Sequence, residues 1–273
     1  MVHRLLRNIA AITAGLLPGL VAAGLLSLPA RADDVAPQAG AAGPAAPVPR
    51  RAQFLNSKVP DAPRLMADWV ADSRDNGGMP FIIVDKPDAK VFAFDSNAQL
   101  LGSASVLVGL ARGDDSVPGI GTMPLTAITP DIRTTPAGRF VAGLGHDLGK
   151  LDVLWVDYPD AISLHRVINT EPAEHRLQRI VSPAPADHRI SYGCINVPAK
   201  FFDSVVDPAF KDTKGVVYIL PEVKPMQAVF PHFYEVQDQL DAAEAQRPLA
   251  GTPAGYEQGA GSVDGHDLAG IVH

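Results

Sequence analysis

The chain has 273 residues, 47% apolar and 19% charged, which is enough apolar material for a packed core and too much for wholesale disorder. Its 30 acids against 23 bases leave a formal charge of −7, which weighs against a nucleic-acid binder that neutralises phosphates. A single cysteine, Cys194, excludes a disulfide within the chain and any zinc site that draws two or more cysteines from it.

Residues 1–32 read as an export signal. His3, Arg4 and Arg7 form a basic start, an apolar run follows from Ile9 to Leu28, and Ala30-Arg31-Ala32 offers a cleavage site. An uncleaved anchor is the alternative, because the run is about long enough to span a bilayer. Pro18 and the glycines within it favour cleavage, and no cysteine is near for a lipid anchor. The expected location is therefore outside the cytoplasm, in the periplasm or cell envelope. Residues 33–60 are rich in Ala, Pro and Gly and read as a linker. Residues 61–77 are assigned to a short helix. Asp61 is the candidate cap, Pro63 lies near the first turn, and Leu65, Met66, Trp69 and Val70 share one face.

From Phe81 the apolar period changes to two. FIIVD, KVFAFD and LLGSASVLVG predict a meander, and GRFVAG, DVLWVDY, AISLHRVI and GVVYILPE predict further strands. Helices are expected over residues 171–181 and 198–206, the latter opened by Pro198. The expectation is a mostly β, sandwich-like domain over residues 78–224 with a few short helices. Residues 225–273 are expected to hold an exposed helix and then a disordered tail.

The segment ISYGCINVP (190–198) carries the chemistry. Cys194 sits in a Ser-x-Gly-Cys turn after a strand end. Gly193 lets the backbone approach the sulfur closely, and amides in such a turn can face an oxyanion. A thiol needs a base or cation nearby to ionise at neutral pH, and His165, His175 and His188 are the candidates. His165 ends the apolar strand AISL, which places it best to meet a turn cysteine. A buried, inert cysteine is the plainer alternative, although an unpaired thiol in an oxidising compartment is more often functional. A metal site built from the three histidines and Cys194 matches no zinc spacing, and the chain has no His-x-x-x-His pair.

SYGCIN (191–196) resembles the Ser/Thr-His-Gly-Cys-x-Asn/Arg box of the L,D-transpeptidases, the YkuD-type domains. TTPAGRF (134–140) is similar to the family's Thr-Pro-x-Gly-x-Phe segment, and AISLH (161–165) resembles the strand that bears its catalytic histidine. The opening meander also fits, so the resemblance covers residues 80–222 in the right order.

The resemblance implies Cys194 as nucleophile and His165 as general base, with Ser191 and Gly193 shaping the turn and oxyanion region. Tyr192, Asn196, Arg166 and Arg189 are the candidates for holding substrate. It also implies peptidoglycan stem peptides as the partner, no metal or cofactor, and acylation by carbapenem β-lactams. Three departures stand out. Tyr192 replaces the histidine before Gly-Cys, with His188 as a possible substitute. Arg166 replaces the glycine after the base. Residues 166–190 form a longer insertion, expected to wall or cover the cleft. A catalytically silent wall-binding module and an L,D-carboxypeptidase or hydrolase are the alternative readings, and a zinc hydrolase is a distant one.

Overall fold

The structure, a computed structural model, describes residues 49–245. The expected signal, most of the linker and the tail beyond 248 lie outside the described residues. No helix among the described residues is long and apolar enough to cross a membrane.

Helix α1 (Asp61–Ser73) forms where the Leu, Met, Trp and Val spacing predicts it. Its cap differs from the expectation. Pro60 occupies the N-cap position without a side-chain bond, and Asp61 is the first helical residue, paired instead with Arg64. Arg74 ends the helix in the left-handed conformation, and its amide donates to the Val70 carbonyl.

The strands are β1 (Phe81–Asp85), β2 (Lys90–Phe94), β3 (Leu100–Ser105), β4 (Val108–Gly109), β5 (Gly138–His146), β6 (Asp152–Asp157), β7 (Ile162–Arg166), β8 (Arg189–Ser191), β9 (Ile195–Val197) and β10 (Lys214–Ile219). Eight form one mixed sheet in the order β3-β2-β1-β10-β5-β6-β7-β9, and β4 pairs with β8 in a parallel ribbon. The two ends of the large sheet are drawn together. Leu107, just past β3, exchanges amide-to-carbonyl bonds of 2.9 Å in both directions with Asn196 of β9. The fold is mostly β, as the sequence predicts.

Both faces of the central strands are buried, which explains the unbroken run FIIV. Ile82, Val84, Val91, Val217 and Ile219 face one core with the strands that carry the cysteine. Phe81, Ile83, Phe92, Phe94 and Tyr218 face a second core beneath α1. Phe81 stacks on Phe94 with ring centroids 4.7 Å apart. Each fully buried aromatic or branched side chain stabilises the fold by roughly 1.5–3 kcal/mol, so the alternation holds the register.

The remaining helices are shorter than the sequence suggests. Residues 171–181 form a 3-10 turn at Pro172–Glu174 and then α2 (Arg176–Arg179), separated by His175 at φ 51°. Residues 199–210 form α3 (Ala199–Phe201), a π turn (Phe202–Val206) and α4 (Asp207–Phe210). Pro208 has no amide to continue the ladder, and the widened turn lies just before it. Two further helices close the described chain, α5 (Met226–Val229) and α6 (Val236–Ala245).

The turn after β1 gives a pH test. Asp85 is 3% exposed. Burial, and the charge of Asp88 beside it, raise its carboxyl to about 6, against an accepting bond from the Asp88 amide. The folded state therefore favours the protonated acid. That contribution is full below the unfolded pKa near 3.8 and is lost as pH rises through 6. The ionised side chain then costs roughly 3 kcal/mol. Asp85→Asn is expected to raise stability by about that amount at pH 7.5 and to change little at pH 4. Chemical denaturation at the two pH values measures this, and an equal effect at both would remove the burial argument.

Candidate active site

Three segments distant in sequence meet around Cys194. Strand β7 supplies Ser163 and His165, which lie two residues apart on one face. Strand β9 runs parallel to β7, with Leu164 opposite Ile195 and His165 opposite Asn196, so the residue before β9 is Cys194 beside Ser163. The 134–140 segment braces the cysteine turn. Thr135 Oγ1 donates to the Gly193 carbonyl at 2.7 Å and accepts from the Gly109 amide at 2.8 Å.

The turn itself is tightly specified. Gly193 has φ 128°, and a Cβ there would come within 2.8 Å of both Ile162 Cδ1 and the Thr134 carbonyl. Ser191 Oγ donates to the Cys194 carbonyl at 2.6 Å and accepts from the Gly193 amide at 3.1 Å. The Gly193 amide is thereby used inside the turn. Gly193 and Ser191 are bonded to one another within the turn, so the Gly193 amide is taken up by Ser191 Oγ rather than left to face an oxyanion.

Cys194 is half-buried. Its sulfur lies 3.7 Å from Ser163 Oγ and 3.5 Å from the Ala161 carbonyl. His165 Nδ1 lies 2.7 Å from the Arg166 carbonyl. A carbonyl only accepts, so Nδ1 carries the proton and Nε2 presents its lone pair. Burial pushes the Cys194 thiol up, but the His165 imidazole beside it, together with bonds from Ser163, more than offsets this and lowers its pKa. Burial pushes His165 down, while the cysteine and the Arg166 carbonyl raise it further, against a smaller opposing effect of Arg176. Both directions favour a thiolate–imidazolium pair.

The pair opens into a cleft of about 440 Å³ lined by Ser163, His165, Leu148, Leu151, Trp155 and Cys194, among others. Its apolar wall comes from the β5–β6 hairpin. From the 166–190 insertion only Arg166 and Ile168 reach it, which corrects the expectation of an insertion wall. Among the described residues, no group of His, Cys, Asp and Glu is arranged to hold a metal.

The other expected residues are placed differently. His188 is buried, with Nδ1 2.8 Å from the Val106 carbonyl and Nε2 3.0 Å from the Ser182 carbonyl. It braces the insertion and is not a substitute base. His175 is exposed on the insertion. Tyr192 lies under the Arg133 guanidinium, 3.8 Å from its ring centroid, and lines no part of the cleft. Arg166 borders the cleft, but its guanidinium is turned to Asp203 and stacks on Phe202.

Arg189 and Asn196 are corrected as substrate-binding residues. Arg189 is paired with the fully buried Glu222 and donates to the carbonyls of Gly109 and Ala111. Glu222 also lies 3.8 Å from Lys86, which is itself buried against Asp114. Burial alone would raise Asp114, but Lys86 and the amides of Lys224, Glu222 and Val223 outweigh it and bring it to about 2. Lys86 also donates to the Thr135 carbonyl at 2.9 Å, so this network holds the segment that braces the cysteine turn rather than a ligand. Asn196 is fully buried and faces His165 and the Cys194 carbonyl.

Ser163, Thr135 and Arg176 went unnoticed in the sequence. The period-two rule places Ser163 on the same face as His165 and could have found it. Thr135 was legible only as part of the 134–140 segment and Arg176 carries no local signal, because the partners of both lie far along the chain.

The fold and site define a mostly β protein with a thiol and an imidazole beside one another at an open cleft. No family model matches the chain, and no curated protein matches it. Among solved structures, it is similar to the helical cell shape determining protein Pgp2 from Campylobacter jejuni, at 14% identity and a TM-score of 0.36 over 54% of this chain and 49% of that one. A lysine-to-alanine mutant of the same protein gives the same identity and TM-score over 57% and 55%. The chain spans about half the length of these structures.

Proposed function

We propose that this protein is a cysteine acyltransferase of the L,D-transpeptidase type that acts on peptidoglycan stem peptides in the cell envelope. One observation carries the reading. The three segments that resemble the family, 134–140, 161–165 and 191–196, converge on one thiol, joined by the Thr135-to-Gly193 bond and the β7–β9 register. An inert cysteine needs neither an imidazole beside it nor a cleft above it.

The chemistry follows from the chain's own groups. The Cys194 thiolate attacks the carbonyl carbon before a terminal D-alanine. The oxyanion falls to the amides of the turn, and with the Gly193 amide donating to Ser191 Oγ the Cys194 amide is the candidate donor. The His165 imidazolium gives its proton to the departing D-alanine nitrogen, and the C–N bond breaks to leave a thioester. An acceptor amine then attacks the thioester, His165 Nε2 takes the amine proton, and the thiolate leaves. Water in place of the amine gives a carboxypeptidase.

The test is mass spectrometry of muropeptides after incubation of the protein with wall fragments bearing tetrapeptide stems. Loss of D-alanine with formation of joined stems is the expected result, and loss of D-alanine alone identifies hydrolysis. An unchanged profile would end the reading in favour of a silent wall-binding module.

A further inference from the structure

The insertion that was expected over the cleft reaches the catalytic ring from another side. Arg176, the first residue of α2, is mostly buried and is held by Glu174, with Nε 2.5 Å from Oε2. Its Nη1 donates to Asn196 Oδ1 at 2.7 Å. Asn196 Nδ2 in turn lies 3.3 Å from His165 Nε2. Arginine has donors only, so the Asn196 oxygen must face Arg176 and the Asn196 NH2 must face His165. At the opposite side of the ring, the Arg166 carbonyl accepts from Nδ1. Both ring nitrogens are therefore specified, one as donor and the other as acceptor.

From this geometry we propose that Arg176 is a positioning residue for the base. By fixing the Asn196 amide, it backs the Arg166 carbonyl in holding His165 in the Nδ1–H tautomer. An imidazolium aims an Nε2–H at a site already facing an NH2 donor, which opposes protonation and offsets part of the rise that Cys194 produces. Without Arg176 the amide keeps only its 3.4 Å bond to the Cys194 carbonyl and can turn, its oxygen can accept from Nε2–H, and the imidazolium is held more strongly. The consequence for turnover rests on the acyl-transfer reading; the state of the ring does not.

The charged and titratable groups around His165 are few. Cys194 stands on the turn before β9, and Arg176 and Glu174 come from the insertion. Asp147 and Asp152 of the β5–β6 hairpin border the same cleft, but Asp147 accepts from the Leu151 amide and Asp152 is paired with His146. Arg166 is turned to Asp203. The positive charge of Arg176 acts in the same direction as the amide, opposing protonation of the ring.

The test uses the full chain and iodoacetamide, which reports on Cys194 without any wall substrate. The alkylation rate of wild type against pH should show two inflections, thiolate formation and then imidazolium loss. In Arg176→Met the second inflection is expected to move up by ~0.5–1 unit, the size of a lost neighbouring charge and donor. Arg176→Lys keeps a charge and a donor and should stay with wild type. Nitrogen-15 NMR of wild type, above the imidazolium titration, should find the neutral ring protonated on Nδ1. An unshifted profile in a folded Arg176→Met, or a wild-type ring protonated on Nε2, overturns the proposal. If Arg176→Met does not fold, Arg176→Gln takes its place: it removes the charge, the second inflection should again move up, and an unshifted profile overturns the proposal. A protein that shows the expected ring and alkylation profile but makes no muropeptide product loses the transpeptidase reading and keeps this one.

Discussion

Cys194→Ala is expected to abolish release of D-alanine and joining of stems while leaving the fold intact. The reaction written above forms its covalent bond on this sulfur, the only cysteine sulfur in the chain. The side chain is half-buried, and the turn around it is held by Gly193, Ser191 and Thr135 rather than by the thiol. Alanine removes one heavy atom from the cleft wall and leaves those bonds in place. The resemblance also implies that a carbapenem acylates the thiolate. The physical basis is general, since a strained amide carbonyl would meet a thiolate beside preorganised donors. Intact-mass spectrometry should show one adduct on wild type and none on Cys194→Ala. Because the insertion does not wall the cleft, Arg166 and Ile168 are its only contributions to access. An adduct that persists in the alanine variant would place the nucleophile elsewhere.

His165→Gln is expected to lower turnover on the order of 100-fold or more, as loss of a general acid and base does. It should also slow alkylation of Cys194 at neutral pH, because the imidazole is the main influence holding the thiol below its ordinary pKa against burial. The directions set the pH profile. The rate of the wild type should rise on the acid side below the ordinary thiol value, as the thiolate forms. It should fall on the alkaline side above the ordinary histidine value, as the imidazolium that protonates D-alanine is lost. The variant should lose the alkaline limb. His188→Ala should leave the limbs in place, because its ring nitrogens face the Val106 and Ser182 carbonyls rather than the sulfur. A His188→Ala variant that moved the limbs while His165→Gln did not would reverse the assignment of the base.

What the sequence determined by itself was local. Short apolar runs bounded by Gly, Pro and Asp marked β1, β2, β5, β6, β7 and β10, because a strand buried on one or both faces needs apolar residues whatever it pairs with. The spacing of Leu65, Met66, Trp69 and Val70 marked α1 for the same kind of reason. Cys194 and His165 were legible because a turn cysteine and a strand-end histidine are written in a few adjacent residues each. The structure alone decided everything that depends on long-range pairing. Strands β8 and β9 have three residues each, too short for a period, and exist because β4 and β7 offer them partners. Arg189 looked free beside the cysteine box, yet buried Glu222 claims it from 33 residues away. Asn196 looked like a substrate contact, and becomes a link between Arg176 and His165 because the β7–β9 register buries it. The insertion's composition suggested a wall, but where a loop lies is settled by the carbonyls and amides it can satisfy. Here those are His188 bridging Val106 and Ser182, and Arg176 reaching Asn196. Local chemistry names the reacting atoms, and only the packed fold decides which neighbours hold their protons in place.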